Sequence, residues 1–134
     1  MVKVGFVVLE AVLSPLCDPQ EPLYSQLVGV NGEDEQQLRR VVREVVRPYY
    51  ESFDSWSKGI ISNSVLYFAR ADELPAAACF DALPIPFDLP QDLKKFCLCL
   101  QEELGIEKKG FEMSACEYSD DLGLVHRLRR SNRG

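Results

Sequence analysis

One histidine and five cysteines are the residues of this 134-residue chain whose side chains most often act as bases, nucleophiles or metal ligands. His126 lies among arginines near the C-terminus, and no acidic residue is placed in the sequence to orient its ring. The chain also lacks the Gly-x-Ser-x-Gly motif of serine hydrolases. The pattern therefore disfavours a histidine-dependent hydrolase.

The cysteines do not have the spacing of a metal site or of a disulfide framework. They are Cys17, Cys79, Cys97, Cys99 and Cys116. Cys97 and Cys99 are two residues apart, so on a regular helix their thiols point about 200° apart and cannot bind one zinc ion. We expect Cys97 in the core and Cys99 nearer the exposed side. An odd number of cysteines without a secretion signal predicts reduced thiols in a cytoplasmic protein, with neither metal nor cofactor.

Adjacent carboxylates are the remaining candidates for catalysis, at Asp72/Glu73, Glu102/Glu103 and Asp120/Asp121. In an acidic protein such pairs are more often solvated residues of loops and helix ends than an acid and base pair. No glycine-rich loop of a nucleotide-binding fold is present. The sequence therefore favours a protein that is not an enzyme.

Charge and aromatic residues indicate binding to a partner protein. The net charge is −6, and four of the fifteen basic residues follow Val125, so residues 1–125 carry a formal −10. Such a body repels nucleic acids and attracts basic proteins. The predicted partner-binding acids flank turns and loops: Asp72, Glu73, Asp81, Asp88, Asp120 and Asp121. Tyr50, Phe53 and Trp56 are either core residues or exposed aromatic anchors of an interface.

The elements predicted to position these residues form a single α+β domain. The strands are expected at 2–9, 23–30 and 60–71, followed by a hairpin of 111–118 with 124–130. A helix with an apolar stripe from Leu38 to Tyr49 starts at Asn31 or Gly32 and ends or kinks at Pro48. A second helix runs from about Leu89 to Leu104, with Asp88 as its cap and Gly105 at its exit. Residues 14–22 and 74–90 are expected to be loops.

Together these elements predict a mixed or mostly antiparallel sheet of four or five strands with two main helices packed on it. Residues 1–125 form the domain, and 126–134 are a basic tail or an edge strand. The N-terminal apolar stretch is short and interrupted by Glu10, which favours a buried strand over a signal peptide, and no segment is long enough to span a membrane.

In size and charge, this domain resembles bacterial immunity proteins that neutralise basic toxins. The resemblance implies an acidic inhibitor of a basic partner such as a toxin or nuclease, with no nucleic acid bound and a monomeric or homodimeric state. Two alternatives stay open. One is a small enzyme or ligand-binding domain with Cys79, Cys116 or a buried tyrosine at its pocket wall. The other is a homodimeric structural or regulatory module.

Overall fold

The protein is mostly helical, as seen in a computed structural model that describes residues 2–20, 24–70, 83–119 and 122–130. The helices are α1 (Phe6–Val12), α2 (Ser14–Cys17), α3 (Glu35–Val41), α4 (Arg47–Glu51), α5 (Ser55–Arg70), α6 (Leu93–Glu103) and α7 (Leu122–His126). A π-helical turn, Val42–Val46, joins α3 to α4. Short 3-10 turns lie at Tyr24–Gln26 and Met113–Ala115.

The sheet has two strands in the described part of the chain, β1 (Val2–Val4) and β2 (Cys116–Tyr118). They are parallel, with Val4 opposite Tyr118, and the backbone N–H of Ser119 donates to the carbonyl of Val4 at 2.7 Å. The predicted α+β fold with four or five strands is therefore wrong. The apolar segments that were expected to supply its other strands form helices and turns instead.

Helix α5 occupies the centre of the molecule, where a strand at 60–71 was predicted. Ile61, Val65 and Phe68 are fully buried, and α5 contacts β1, α1 and α6. Tyr67 is also partly covered, because its ring packs against Phe68 and Tyr118. A helix that is packed on several sides is apolar around most of its circumference, so it loses the one-sided pattern by which helices are usually recognised.

The two other predicted strands in the N-terminal half are also largely wrong. Only Val2–Val4 of the segment 2–9 is extended, because α1 begins at Phe6 and buries Val8 and Leu9 against the core. The described part of 23–30 is a 3-10 turn followed by further turns, with Leu27 buried. The predicted loop 14–22 is wrong over Ser14–Cys17, which form α2, and Pro15 lies in the first turn of this helix, where proline is tolerated.

Helix α3 and the π turn that follows it confirm the predicted stripe, since Leu38, Val42 and Val46 are buried. Its cap is Asp34, so the expected cap at Asn31 or Gly32 is wrong, and the Asp34 carboxylate accepts the backbone N–H groups of residues 36 and 37. The helical path does not end at Pro48. A proline ring clashes with the carbonyl four residues earlier in a regular helix, and the π turn lies at that point.

Helix α6 is the second confirmed helix. Asp92 caps it by accepting the backbone N–H of residue 94, so the expected cap at Asp88 is wrong, and Gly105 leaves the helix with φ of 70°. The predicted core residues Phe96, Cys97 and Leu100 are fully buried.

The predicted C-terminal hairpin is wrong. Residues 111–118 form a 3-10 turn and then β2, which pairs with β1, while α7 lies within the other half of the expected hairpin. After α7, residues 127–130 lie along the junction of α4 and α5, where Arg130 makes a single antiparallel bridge with Phe53.

Among the described helices we find none with the length and apolarity needed to cross a bilayer.

Candidate functional site

The candidate site is a groove between the start of α3 and one side of α6, called here the α3–α6 groove. Its lining includes residues of the loop before α3, of α3 itself, of the segment before α6 and of α6. They are Gly32, Glu33, Glu35, Leu38, Arg39, Pro90, Lys95, Leu98, Cys99 and Glu102. The groove has a volume of about 350 Å³.

Two backbone contacts fix one end of the groove. A Cβ atom added to Gly32 would lie 1.9 Å from the carbonyl oxygen of Asp88, so the two loops approach each other in a way that only glycine permits. Next to this contact, the carboxylate of Glu33 accepts the backbone N–H of Gln91 at 2.7 Å. The loops before α3 and before α6 are therefore joined, and the carboxylate of Glu33 is held in place.

Arg39 fixes the middle of the groove. Its guanidinium donates to Glu35 at 3.1 and 3.2 Å, to Glu103 at 3.1 Å, and to Glu102. Because Glu35 belongs to α3 and the other two carboxylates belong to α6, one side chain links the two helices. The hydrogen bonds that Arg39 donates to Glu102, and then those to Glu103, raise the pKa of Arg39 further above its already high value.

The carboxylates outnumber the cations around this groove. Glu33, Glu35 and Glu102 line it, Glu103 reaches Arg39 beside it, and exposed Asp88 meets Gly32 at its end. Against these five acids there are three cations, Arg39 and Lys95 in the lining and Arg43, which pairs with Glu103, and this leaves a formal charge of −2. A partner that brings positive charge is therefore favoured at this surface.

Leu98 supplies an apolar surface within this acidic setting. It is 44% exposed, although Cys97, Cys99 and Leu100 beside it on α6 are buried. A leucine contributes about 1.5–3 kcal/mol when it passes from full exposure to full burial, so a partner that covers the exposed 44% of Leu98 gains roughly half of that. A leucine with carboxylates around it has the arrangement of an interface centre with a polar rim.

Cys99 lies at the wall of the groove but is not suited to act as a nucleophile. The side chain is 3% exposed, so the expectation that it lies on the exposed side of α6 is wrong. Burial raises its pKa to about 11, only partly opposed by Arg39. The thiol is thus protonated near neutral pH, and the thiolate is the form that attacks. Burial likewise raises the pKa of Cys97, as its confirmed place in the core requires.

The structure separates the three predicted aromatic residues. Tyr50 is buried, and its hydroxyl is 2.8 Å from that of Ser62. Phe53 is buried and packs edge-on against Tyr49, with the ring centroids 5.1 Å apart. Both residues therefore belong to the core, which is the first of the two alternatives that the sequence left open for them. Trp56 is 48% exposed, on a surface separate from the α3–α6 groove.

Of the six predicted partner-binding acids, Asp88 is described, exposed and at the edge of the groove. The others, Asp72, Glu73, Asp81, Asp120 and Asp121, lie outside the described residues. The same holds for Cys79, whereas Cys116 is half-buried on β2 and does not line this groove.

The sequence contained a signal for Leu98 that the prediction did not use. The apolar stripe of α6 runs through Leu93, Phe96, Cys97 and Leu100, and Leu98 is the leucine that falls outside it. An apolar residue on the polar side of an amphipathic helix marks a contact made with something other than the core. Arg39 had no comparable signal, because its ion pairs with residues 102 and 103 depend on the tertiary fold.

Comparison of the chain with protein-family models, with curated proteins and with solved structures gave no match. Among the described residues, no group of three or more His, Cys, Asp or Glu side chains is arranged to hold a metal ion.

Proposed function

We propose that this protein is a non-catalytic binding module that holds a basic partner protein at the α3–α6 groove. The observation that carries the proposal is Leu98, an exposed leucine in the lining of a groove whose surroundings have a formal charge of −2. An apolar centre gives affinity on desolvation, while the surrounding carboxylates select and steer a cationic partner.

The position of the carboxylates supports this proposal. Arg39 and the N–H of Gln91 hold Glu35, Glu102 and Glu33 before any partner arrives, so little side-chain entropy is lost when they bind. Each carboxylate has more lone pairs than these contacts use. A partner's lysine or arginine can therefore join the existing ion pairs without displacing Arg39.

The biological role that fits such binding is inhibition of a basic protein, such as a toxin or nuclease, as an immunity protein does. Electrostatic attraction speeds association with a cationic enzyme, and an inhibitor needs no catalytic group of its own. This role rests on the overall charge of −6 together with the acidic groove.

The test is affinity purification from the native host with three forms of the protein as bait. The unmodified protein is compared with the double variant Leu98→Gln/Glu102→Gln and with Glu112→Gln, an exposed acid outside the groove. We expect a basic protein that the unmodified and Glu112→Gln baits retain and that the double variant loses. The purified partner should then lose its own activity when the unmodified protein is added.

Two outcomes would contradict the proposal. Retention of the same partner by the double variant would place the binding surface elsewhere. A retained partner that is acidic, or that keeps its full activity in the complex, would exclude inhibition of a basic protein. Matched thermal unfolding of all three baits shows that the comparison is between folded proteins.

A further inference from the structure

A second surface surrounds Trp56 and shares no residue with the α3–α6 groove. It is a shallow depression of about 530 Å³, called here the Trp56 surface, and it includes Lys3, Trp56, Gly59, Ile60 and Arg127. At Gly59 there is open space, since an added Cβ atom would have no neighbour within 4 Å. The indole of Trp56 therefore stands beside a depression that a partner's side chain can enter.

Trp56 is unlike the other aromatic residues of its segment. Tyr50 and Phe53 are buried, whereas Trp56 is 48% exposed, with the guanidinium of Arg127 at 5.8 Å from its ring centroid. A tryptophan stacked with an arginine presents a large apolar face, an indole N–H donor and a positive charge together. Tryptophan and arginine are also the residues that most often dominate binding energy at protein interfaces.

The charge of this surface is opposite to that of the whole chain. The lining of the depression contains two cations, Lys3 and Arg127, and no acidic residue. Within the described parts of the chain, neither cation takes part in an ion pair. Both are exposed, so both can receive a carboxylate from outside.

Arg127 is held on a segment with a fixed position. Immediately after it, Leu128 is buried, the N–H of Arg129 donates to the hydroxyl of Ser57 at 2.8 Å, and its carbonyl accepts the N–H of Asp54 at 2.8 Å. These bonds fasten the chain to the start of α5, the helix that carries Trp56. The two side chains are therefore kept together before binding, which lowers the entropic cost of recognition.

We propose that the Trp56 surface binds a short acidic segment of a partner protein, one with an apolar side chain flanked by aspartate or glutamate. The apolar side chain fills the depression against Trp56 and Ile60, and the flanking carboxylates pair with Lys3 and Arg127. This goes beyond the proposed function, because it uses a different surface and the opposite charge.

The charge distribution favours a peptide over a nucleic acid. An extended polyanion experiences the field of the whole molecule, whose net charge is −6, whereas a short segment interacts mainly with the two local cations. Two cations also give a much weaker counterion-release effect than the six to ten phosphate contacts of typical nucleic-acid-binding proteins.

The test uses Trp56 as its own reporter, because it is the only tryptophan in the sequence. Its fluorescence is followed while the intact protein is titrated with the peptide Asp-Leu-Glu-Asp-Leu-Glu. The neutral peptide Asn-Leu-Gln-Asn-Leu-Gln and a thymidine hexanucleotide serve as comparisons. We expect a saturable blue shift with the acidic peptide, and the binding constant should fall severalfold between low salt and 0.5 M salt.

Variants then assign the binding to this surface. Lys3→Gln and Arg127→Gln should each weaken peptide binding by roughly twofold to fivefold, in the range of single exposed ion pairs. Gly59→Gln should abolish the blue shift by filling the depression while leaving both cations in place. Lys109→Gln, an exposed cation of the turn after α6, is the matched control and should bind as the unmodified protein does.

Four results would overturn the proposal. One is equal binding of the neutral peptide, and another is tighter binding of the hexanucleotide, which would identify a nucleic-acid site. The third is an equal loss of peptide affinity in Lys109→Gln and Arg127→Gln, which would show that the peptide binds by nonspecific charge attraction. Absence of any blue shift with the acidic peptide would likewise exclude this class of partner.

Discussion

Arg39 makes the most concentrated set of ion pairs in the described chain, and it explains how an acidic groove is stable. Carboxylates that face each other across two helices repel, but here a guanidinium lies between Glu35 on α3 and the pair Glu102 and Glu103 on α6. Glu103 is the most buried of these partners, with a side chain 17% exposed. Removing the arginine would leave the negative charge of Glu103 without the closest positive charge that compensates it.

The change Arg39→Ala should therefore destabilise the protein by about 1–2 kcal/mol, since a partly buried ionic network is lost. Arg40→Ala on the same helix is the control, because Arg40 makes one exposed pair, with Glu44, and should cost below about 0.5 kcal/mol. Urea unfolding of both variants measures the difference. Equal losses of unfolding free energy for the two variants would mean that the ion pairs between α3 and α6 add nothing to the stability.

Cys99 gives the protein a sensitivity to alkaline pH. Burial raises its pKa to about 11, above the ordinary thiol value of 9.0, so the unfolded chain loses this proton at a lower pH than the folded chain. The stability that comes from the neutral buried thiol is complete below pH 9 and declines as the pH rises through 9 to 11. Cys99→Ala should therefore show a flatter decline of unfolding free energy over this range.

This alkaline prediction is checked by urea unfolding at pH 8, 9, 10 and 11 for both proteins. The Cys116→Ala variant is the control, because Cys116 is only half-buried and its pKa is raised less by burial. If the unfolding free energy of the unmodified protein and of Cys99→Ala declined in parallel with pH, the decline would not come from Cys99.

The helices that the sequence predicted correctly are those with one buried face. In α3 and α6 the apolar residues recur every three or four positions and polar residues fill the other side, because only one face meets the core. Their exact starts were less predictable. Several residues near each start have side chains that can cap a helix, so the local sequence does not decide which of them does so.

For the opposite reason, the sequence predicts strands where the structure has helices α1 and α5. Both are buried on more than one side and rich in valine, leucine and isoleucine, and a short apolar run of that kind has the same pattern in a buried strand and a buried helix. Helix α5 also contains glycine and serines, which disfavour helices when isolated. Packing against β1, α1 and α6 overrides that preference, and such packing is not visible in local sequence.

Substitutions at two glycines test the packing of the loops and of helix α5. Gly32→Ala should destabilise the protein by roughly 1–3 kcal/mol, because the new methyl group would collide with the backbone at Asp88 and the neighbouring loops must separate. Gly59→Ala should instead stabilise it by about 0.5–1 kcal/mol, since Gly59 lies inside α5 with open space around it. Thermal unfolding of both variants measures the opposite signs, and destabilisation by Gly59→Ala would contradict the described position of α5.

Across the whole molecule, the sign of the charge differs from one surface to another, and the net charge does not show this difference. The net charge of −6 predicted an acidic protein, and the α3–α6 groove has that sign, but the surface at Trp56 is cationic. The sequence placed the arginines of residues 127–130 in a terminal segment without indicating where it lies. Their position beside α5 depends on the backbone bonds of Asp54 and Arg129, which no local pattern predicts.

The same C-terminal segment contributes to stability. Ending the chain after His126 removes buried Leu128 and the hydrogen bonds of residues 129 and 130 to the α4–α5 junction. This truncation should lower the free energy of unfolding by about 2 kcal/mol. For a chain of this size the Tm should fall by roughly 5–10 °C. Ending the chain after Arg130 keeps all these contacts and is the control. An unchanged Tm for the shorter form would show that the segment is only loosely attached.

The pairing of β1 with β2 also sets an order of events during synthesis. Val4 is fully buried, yet its strand partners, residues 116–118, are separated from it by more than a hundred residues of chain. On a ribosome that makes the N-terminus first, β1 has no partner strand until most of the chain has been translated. Closing so long a loop is slow, so we expect the helices to form early and the two strands to join last.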